Sequence, residues 1–149
     1  MPTATYNKFQ DFVLQLGKGV HQLHAAGHQL ECYLTNGTPN LATNTVKADL
    51  AEITNQNGYT APVDTANDYT ASAGTGTLVG TSFTLTSSGA GFGPFRYVVL
   101  FNTTPTSPAD PLIAEWDYGS AITPNGGETF EVRFNAVASG SPGTIFTLS

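Results

Sequence analysis

The apolar positions change period along the chain. In the first third, Phe9, Phe12, Val13, Leu16 and Val20 fall at i, i+3, i+4, i+7 and i+11, the spacing of one face of an α-helix. Gly17 and Gly19 weaken the end of that helix. From Leu30 to Thr35 the period drops to two. Leu30, Cys32 and Leu34 point one way and Glu31, Tyr33 and Thr35 the other, which predicts a half-buried strand closed by Asn36-Gly37. Val46, Leu50 and Ile53 return to helical spacing, with Asn44 or Thr45 as cap, and predict a second short helix over 46–53. After Asn57-Gly58, the polar stretch from Thr60 to Gly76 predicts a long extended loop with room for one edge strand.

The second half reads as successive strands. Phe83 and Leu85 alternate with Ser82, Thr84 and Thr86. Phe95 to Asn102 is apolar on both faces, as in a central strand buried on both sides. Leu112, Ala114, Trp116 and Tyr118 share one face of a further strand, and Phe130, Val132 and Phe134 alternate with Thr129, Glu131 and Arg133. Pro124-Asn125-Gly126-Gly127 between these two predicts a hairpin. Thr144 to Leu148 supplies a last strand. The expected fold is mainly β, a sandwich or barrel, with one or two short helices in the N-terminal third; α+β is the alternative. A length of 149 residues suits a single domain, 1–149, with residues 1–6 as an N-terminal arm or frayed end and 60–76 as the long polar loop.

Composition sharpens this picture. Charged residues are only 11% of the chain, against about 25% in an ordinary domain. The polar surface must therefore come from Thr, Ser, Asn and Gly. Such a surface suits a protein packed against neighbours, although a β-rich chain favours Thr in any case. The five basic residues, Lys8, Lys18, Lys47, Arg96 and Arg133, are scattered and the net charge is −6, which argues against nucleic-acid binding. One cysteine, Cys32, excludes an intrachain disulfide. Met1 to Tyr6 lacks the pattern of a signal peptide, so the sequons at Asn36 and Asn102 are expected to be chance matches. The longest apolar run, Tyr97 to Phe101, is too short to span a bilayer.

Candidate chemistry is sparse. His21, His24, His28 and Cys32 have spacings that one continuous helix would turn into a Zn²⁺ site. Gly17, Gly19 and Gly27 interrupt that helix and Cys32 belongs to a strand, so the expected arrangement is exposed histidines and a buried cysteine, with no metal. Gly89-Ala90-Gly91-Phe92-Gly93 resembles a phosphate loop, but Pro94 and a strand follow it where a helix is needed, and there is no P-loop Lys. Glu115 and Asp117 lie on the face opposite Trp116, as an acid/base pair, a Ca²⁺ site or simply a solvated face. Asp64 and Asp68 lack the density of a cation loop, and no nucleophile stands beside a credible base. The expectation is a non-enzyme without cofactors. Trp116 and Tyr118, with Phe92 and Phe95 near them in sequence, are either core or an aromatic surface for sugars or a partner.

Several segments carry a resemblance: Thr5 to Val13, Gly19-Val20-His21, Leu30 to Thr35, Thr43 to Leu50 and Asn57 to Thr60. In the second half they are Gly93 to Asn102, Pro111 to Ala114, Trp116 to Gly119 and Gly127 to Phe130. Together these resemble small structural proteins of tailed-bacteriophage virions, and among those a capsid decoration (cement) protein most of all. The resemblance implies an oligomer, with a trimer favoured, that binds the major capsid protein on the outer shell after assembly in the host bacterial cytoplasm. A disulfide-free, low-charge chain is consistent with that setting. The interface residues expected are Thr3, Thr5, Tyr6, Phe92, Trp116 and Tyr118. The alternatives are a tail or head-fibre component, a carbohydrate-binding module using Trp116 or Tyr118, and an enzyme using Glu115, Asp117 and the histidines.

Overall fold

A computed structural model describes residues 3–149; Met1 and Pro2, the first two positions of the expected arm, lie outside them. The protein is mainly β. Its strands run β1 (Asn7–Lys8), β2 (Leu30–Thr35), β3 (Val63–Asp64), β4 (Asp68–Ser72), β5 (Thr75–Thr81), β6 (Phe83–Thr86), β7 (Phe95–Asn102), β8 (Leu112–Ile122), β9 (Thr129–Val132) and β10 (Pro142–Leu148). One α-helix, α1 (Gln10–Gly17), joins β1 to the segment before β2, and short 3-10 turns occupy Lys47–Asp49 and Phe134–Ala136. No helix among the described residues is long and apolar enough to cross a membrane.

The central sheet is antiparallel, in the order β1-β8-β7-β2-β3. Two smaller sheets, β10-β5-β4 and β6-β9, pack over one of its faces. Between these layers lies the larger core, in which Leu30, Cys32, Leu34, Val98, Leu100 and Ala114 from the central sheet meet Leu78, Leu85, Phe130 and Ile145. This sandwich arrangement follows from the period-2 pattern, since each central strand sends alternate side chains to one side.

The central sheet is covered on its other face as well. Phe9, Tyr33, Leu50, Val99, Phe101 and Leu112 form a second cluster there. The lid over it is the 36–53 segment: the Tyr33 hydroxyl donates to the Leu50 carbonyl at 2.9 Å, Ile53 N–H donates to Leu34 O at 3.0 Å, and Thr35 Oγ1 donates to Ala51 O. The Lys47 ammonium sits 5.1 and 4.9 Å from the Tyr33 and Phe101 ring centroids and pairs with Glu52 at 2.9 Å. β2 is thus buried on both faces and not half-buried as its alternation predicts.

Four local expectations are corrected. The 46–53 helix is only the Lys47–Asp49 turn, because Asp49 Oδ2 accepts from the N–H groups of Thr45 and Val46 and Leu50 is drawn into the second cluster in extended conformation. The 60–76 stretch is not a long loop: it holds β3, β4 and the start of β5, with β4 and β5 joined at Ala73-Gly74, both at positive φ (50° and 81°). The predicted hairpin of β8 with β9 does not form, since β8 pairs with β1 and β7 while β9 pairs with β6. Finally, the Leu100/Phe101 register shift against β8 sends Leu112 to the second cluster while Ala114 stays in the first.

Candidate functional site

A cleft of about 500 Å³ lies between the outer end of β8 and the segment from β9 into β10. β8 brings Trp116 and Tyr118 to it on the face shared with Ala114, as their alternation requires. Both are half-buried. The Trp116 ring stands edge-on to Tyr6 at 5.8 Å and tilted against Phe134 at 5.7 Å, and the Tyr118 ring lies 5.9 Å from Phe130. Thr3 and Ala4 line the same cleft, so the N-terminal segment runs along its wall. At the rim, Glu131 Oε1 pairs with Arg133 Nε at 3.0 Å and accepts from Ser139 N–H at 3.0 Å. Arg133, and then the Ser139 amide, hold the Glu131 carboxyl below its usual range. Asn135 and Ala136, also in the lining, both have positive φ (51° and 59°).

Of the expected interface residues, Thr3 and Thr5 are exposed and Tyr6, Trp116 and Tyr118 are half-buried around this cleft. Phe92 is the exception and is corrected. It is wholly buried, stacked on Phe95 at 5.8 Å and beside Tyr59 at 5.7 Å, so it offers no surface to a partner. The Gly89–Gly93 turn that delivers it is filled by protein. A Cβ at Gly91 would collide with the Pro124 carbonyl oxygen, and one at Gly126 would stand 2.6 Å from Gly89 O. The two glycine-rich segments are therefore packed against each other, which is why the second of them does not close a β8–β9 hairpin.

The histidines divide. His24 is exposed and Cys32 lies in the main core, its thiol pushed up by burial. His21 and His28 come together through Asn102, whose side-chain nitrogen lies 3.1 Å from His21 Nδ1 and 3.0 Å from His28 Nδ1. Among the described residues no three His, Cys, Asp or Glu side chains converge as a metal-ligand group. Burial, then the neighbouring His28, lowers the His21 pKa to about 4. Asn67 completes the attachment of this segment: its amide nitrogen donates to Leu23 O and His28 O, and its oxygen accepts from Leu30 N–H at 2.9 Å. The sequence does not reveal these contacts, because the partners that tie the 18–29 segment to Asn67 and Asn102 lie 37 to 81 positions away.

The carboxylates are taken up locally. Asp117 accepts two bonds from the Arg96 guanidinium, at 2.7 and 2.9 Å, and a third from Gly119 N–H, which lowers its pKa. Glu115 is 6% exposed and its Oε2 is unpartnered; burial raises its pKa. The two therefore sit in opposite environments. Asp64 and Asp68 hold the backbone N–H groups of Ala66, Ala25 and Tyr69.

Compared with known proteins, the chain matches no family model, no curated protein sequence and no solved structure.

Proposed function

We propose that the protein is a structural component of a tailed-bacteriophage virion, a capsid decoration protein that binds the outer shell as an oligomer, with a trimer favoured, and stabilises it without catalysing a reaction. The observation that carries this reading is how the few cations are used. Lys47, Arg96 and Arg133 are each held in an ion pair, with Glu52, Asp117 and Glu131. Much of the remaining polar surface is Thr, Ser, Asn and Gly. Contacts made over the Thr, Ser, Asn and Gly stretches strand few lone charges, which is the costly step in burying a polar interface. The segment-by-segment resemblance to small virion proteins supports the same role. The exposed Thr3 and Thr5, at the outer end of the chain, are the proposed first contacts with the major capsid protein.

The test is to mix the purified protein with expanded shells that lack it. Co-sedimentation, added density on the outer surface by cryo-electron microscopy, and shells that survive more heat are the expected results. Density on tails or fibres with bare shells overturns the decoration role.

A further inference from the structure

We infer that the cleft between β8 and the β9–β10 segment is a binding site for a neutral pyranose sugar. The floor supplies the first requirement. Tyr6, Trp116 and Tyr118 come from two separate segments and place aromatic surface along one wall, the kind of platform on which the C–H face of a sugar ring packs. The rim supplies the second. Glu131 and Arg133 face each other as a closed ion pair, so the rim offers carboxylate acceptors and guanidinium donors while adding no net charge. Asn135 adds an amide that can donate and accept. Aromatic floor and charge-balanced polar rim together fit a ligand with an apolar face and a hydroxyl edge. An anion or a cation would meet no unbalanced charge at this pair.

Size and backbone conformation agree with this. About 500 Å³ lies within the range of small-molecule sites, roughly 300–1,000 Å³. The lip is held in an uncommon conformation, with both Asn135 and the β-carbon-bearing Ala136 at positive φ. Strain of this type gathers at ligand clamps, where a side chain must be presented at one angle.

The chain has a single tryptophan, Trp116, so its emission reports on this cleft alone. The probes are the methyl pyranosides of glucose, galactose, mannose and N-acetylglucosamine and their β-linked disaccharides. These are titrated into the free protein with sorbitol, which has the hydroxyls but no ring, as the control. The expected result is a saturable change in Trp116 emission with one or more sugars in the range of about 1 mM, together with saturation transfer to the ring C–H protons. Tyr118→Ala, checked for an unchanged circular dichroism spectrum, is expected to weaken it at least about tenfold. Val13→Ser, on exposed α1, is expected to leave it unchanged. Absence of any response up to tens of millimolar, an equal response to sorbitol, or undiminished binding by Tyr118→Ala overturns the inference; saturation transfer on the wild type alone decides the matter if Tyr118→Ala does not fold. Because the measurement uses free protein, its outcome is independent of whether the protein binds shells.

Discussion

The side-chain nitrogen of Asn102 lies 3.1 Å from Nδ1 of His21, a residue 81 positions earlier in the chain. The amide oxygen of Asn102 accepts from Thr104 N–H at 3.2 Å, which fixes the nitrogen as the end facing the histidines. His21 therefore accepts at Nδ1 and carries its proton on Nε2, and the same holds for His28 at 3.0 Å. A proton added to His21 Nδ1 would oppose the amide donor and release that bond between the end of β7 and the 18–29 segment.

Acid should loosen this attachment. The His21 pKa is lowered to about 4, by burial first and His28 second, against the attraction of Asp11 on α1; the Phe12 ring packs on its other side. Its folded value lies below its unfolded one, so its contribution is complete above about pH 6.5 and falls away toward pH 4, by about 3 kcal/mol in the limit. Glu115 works in the opposite sense: its raised pKa makes its contribution complete at low pH and lost as pH rises through the folded value. Urea unfolding at pH 7 and pH 4.5 should show an acid loss that shrinks in His21→Gln. An unchanged slope in that variant would rule out His21 as the titrating group.

Asn67→Ala should cost about 2–4 kcal/mol, because it strips partners from Leu23 O, His28 O and Leu30 N–H inside the fold. The 18–29 segment should also exchange its amide hydrogens faster than the central sheet does, as measured by hydrogen exchange.

Two glycines give a matched contrast. Gly91→Ala places a Cβ against Pro124 O at a φ of 87° and should destabilise by roughly 2 kcal/mol or more. Gly17→Ala, at the end of α1 with open space around it, should stabilise by up to about 1 kcal/mol. Thermal midpoints that move the same way in both variants would contradict this placement.

Cys32 is buried between the sheets and its thiol is pushed up by that burial. In the native protein it should resist a thiol reagent for as long as the fold is closed, and react at once in denaturant. Labelling at the rate of free cysteine in buffer would show that β2 is open at its centre.

The sequence reveals elements whose pattern is set locally. β2 and β7 fall where alternation and the doubly apolar run place them, because every side chain on those strands meets a neighbouring strand. Trp116 and Tyr118 are legible as one face for the same reason. What escapes is set by distant partners: the register shift that turns Leu112 away from Ala114, the choice of β6 as partner for β9, and the lid that buries Tyr33. The Val46–Ile53 spacing fits a helix as well as it fits the observed turn, and only the pull of the second cluster on Leu50 separates the two. The long-range contacts of Asn67 and Asn102 have no local signal.

The central sheet begins and ends in strands of two residues, β1 and β3. β1 and β3 are each too short to present the row of free amides and carbonyls that another strand would need for template growth, although β8 runs on from Trp116 to Ile122 past the end of β1. A second copy that meets the sheet at β1 or β3 finds only two residues of strand to pair with, so strand addition there is short and readily reversed.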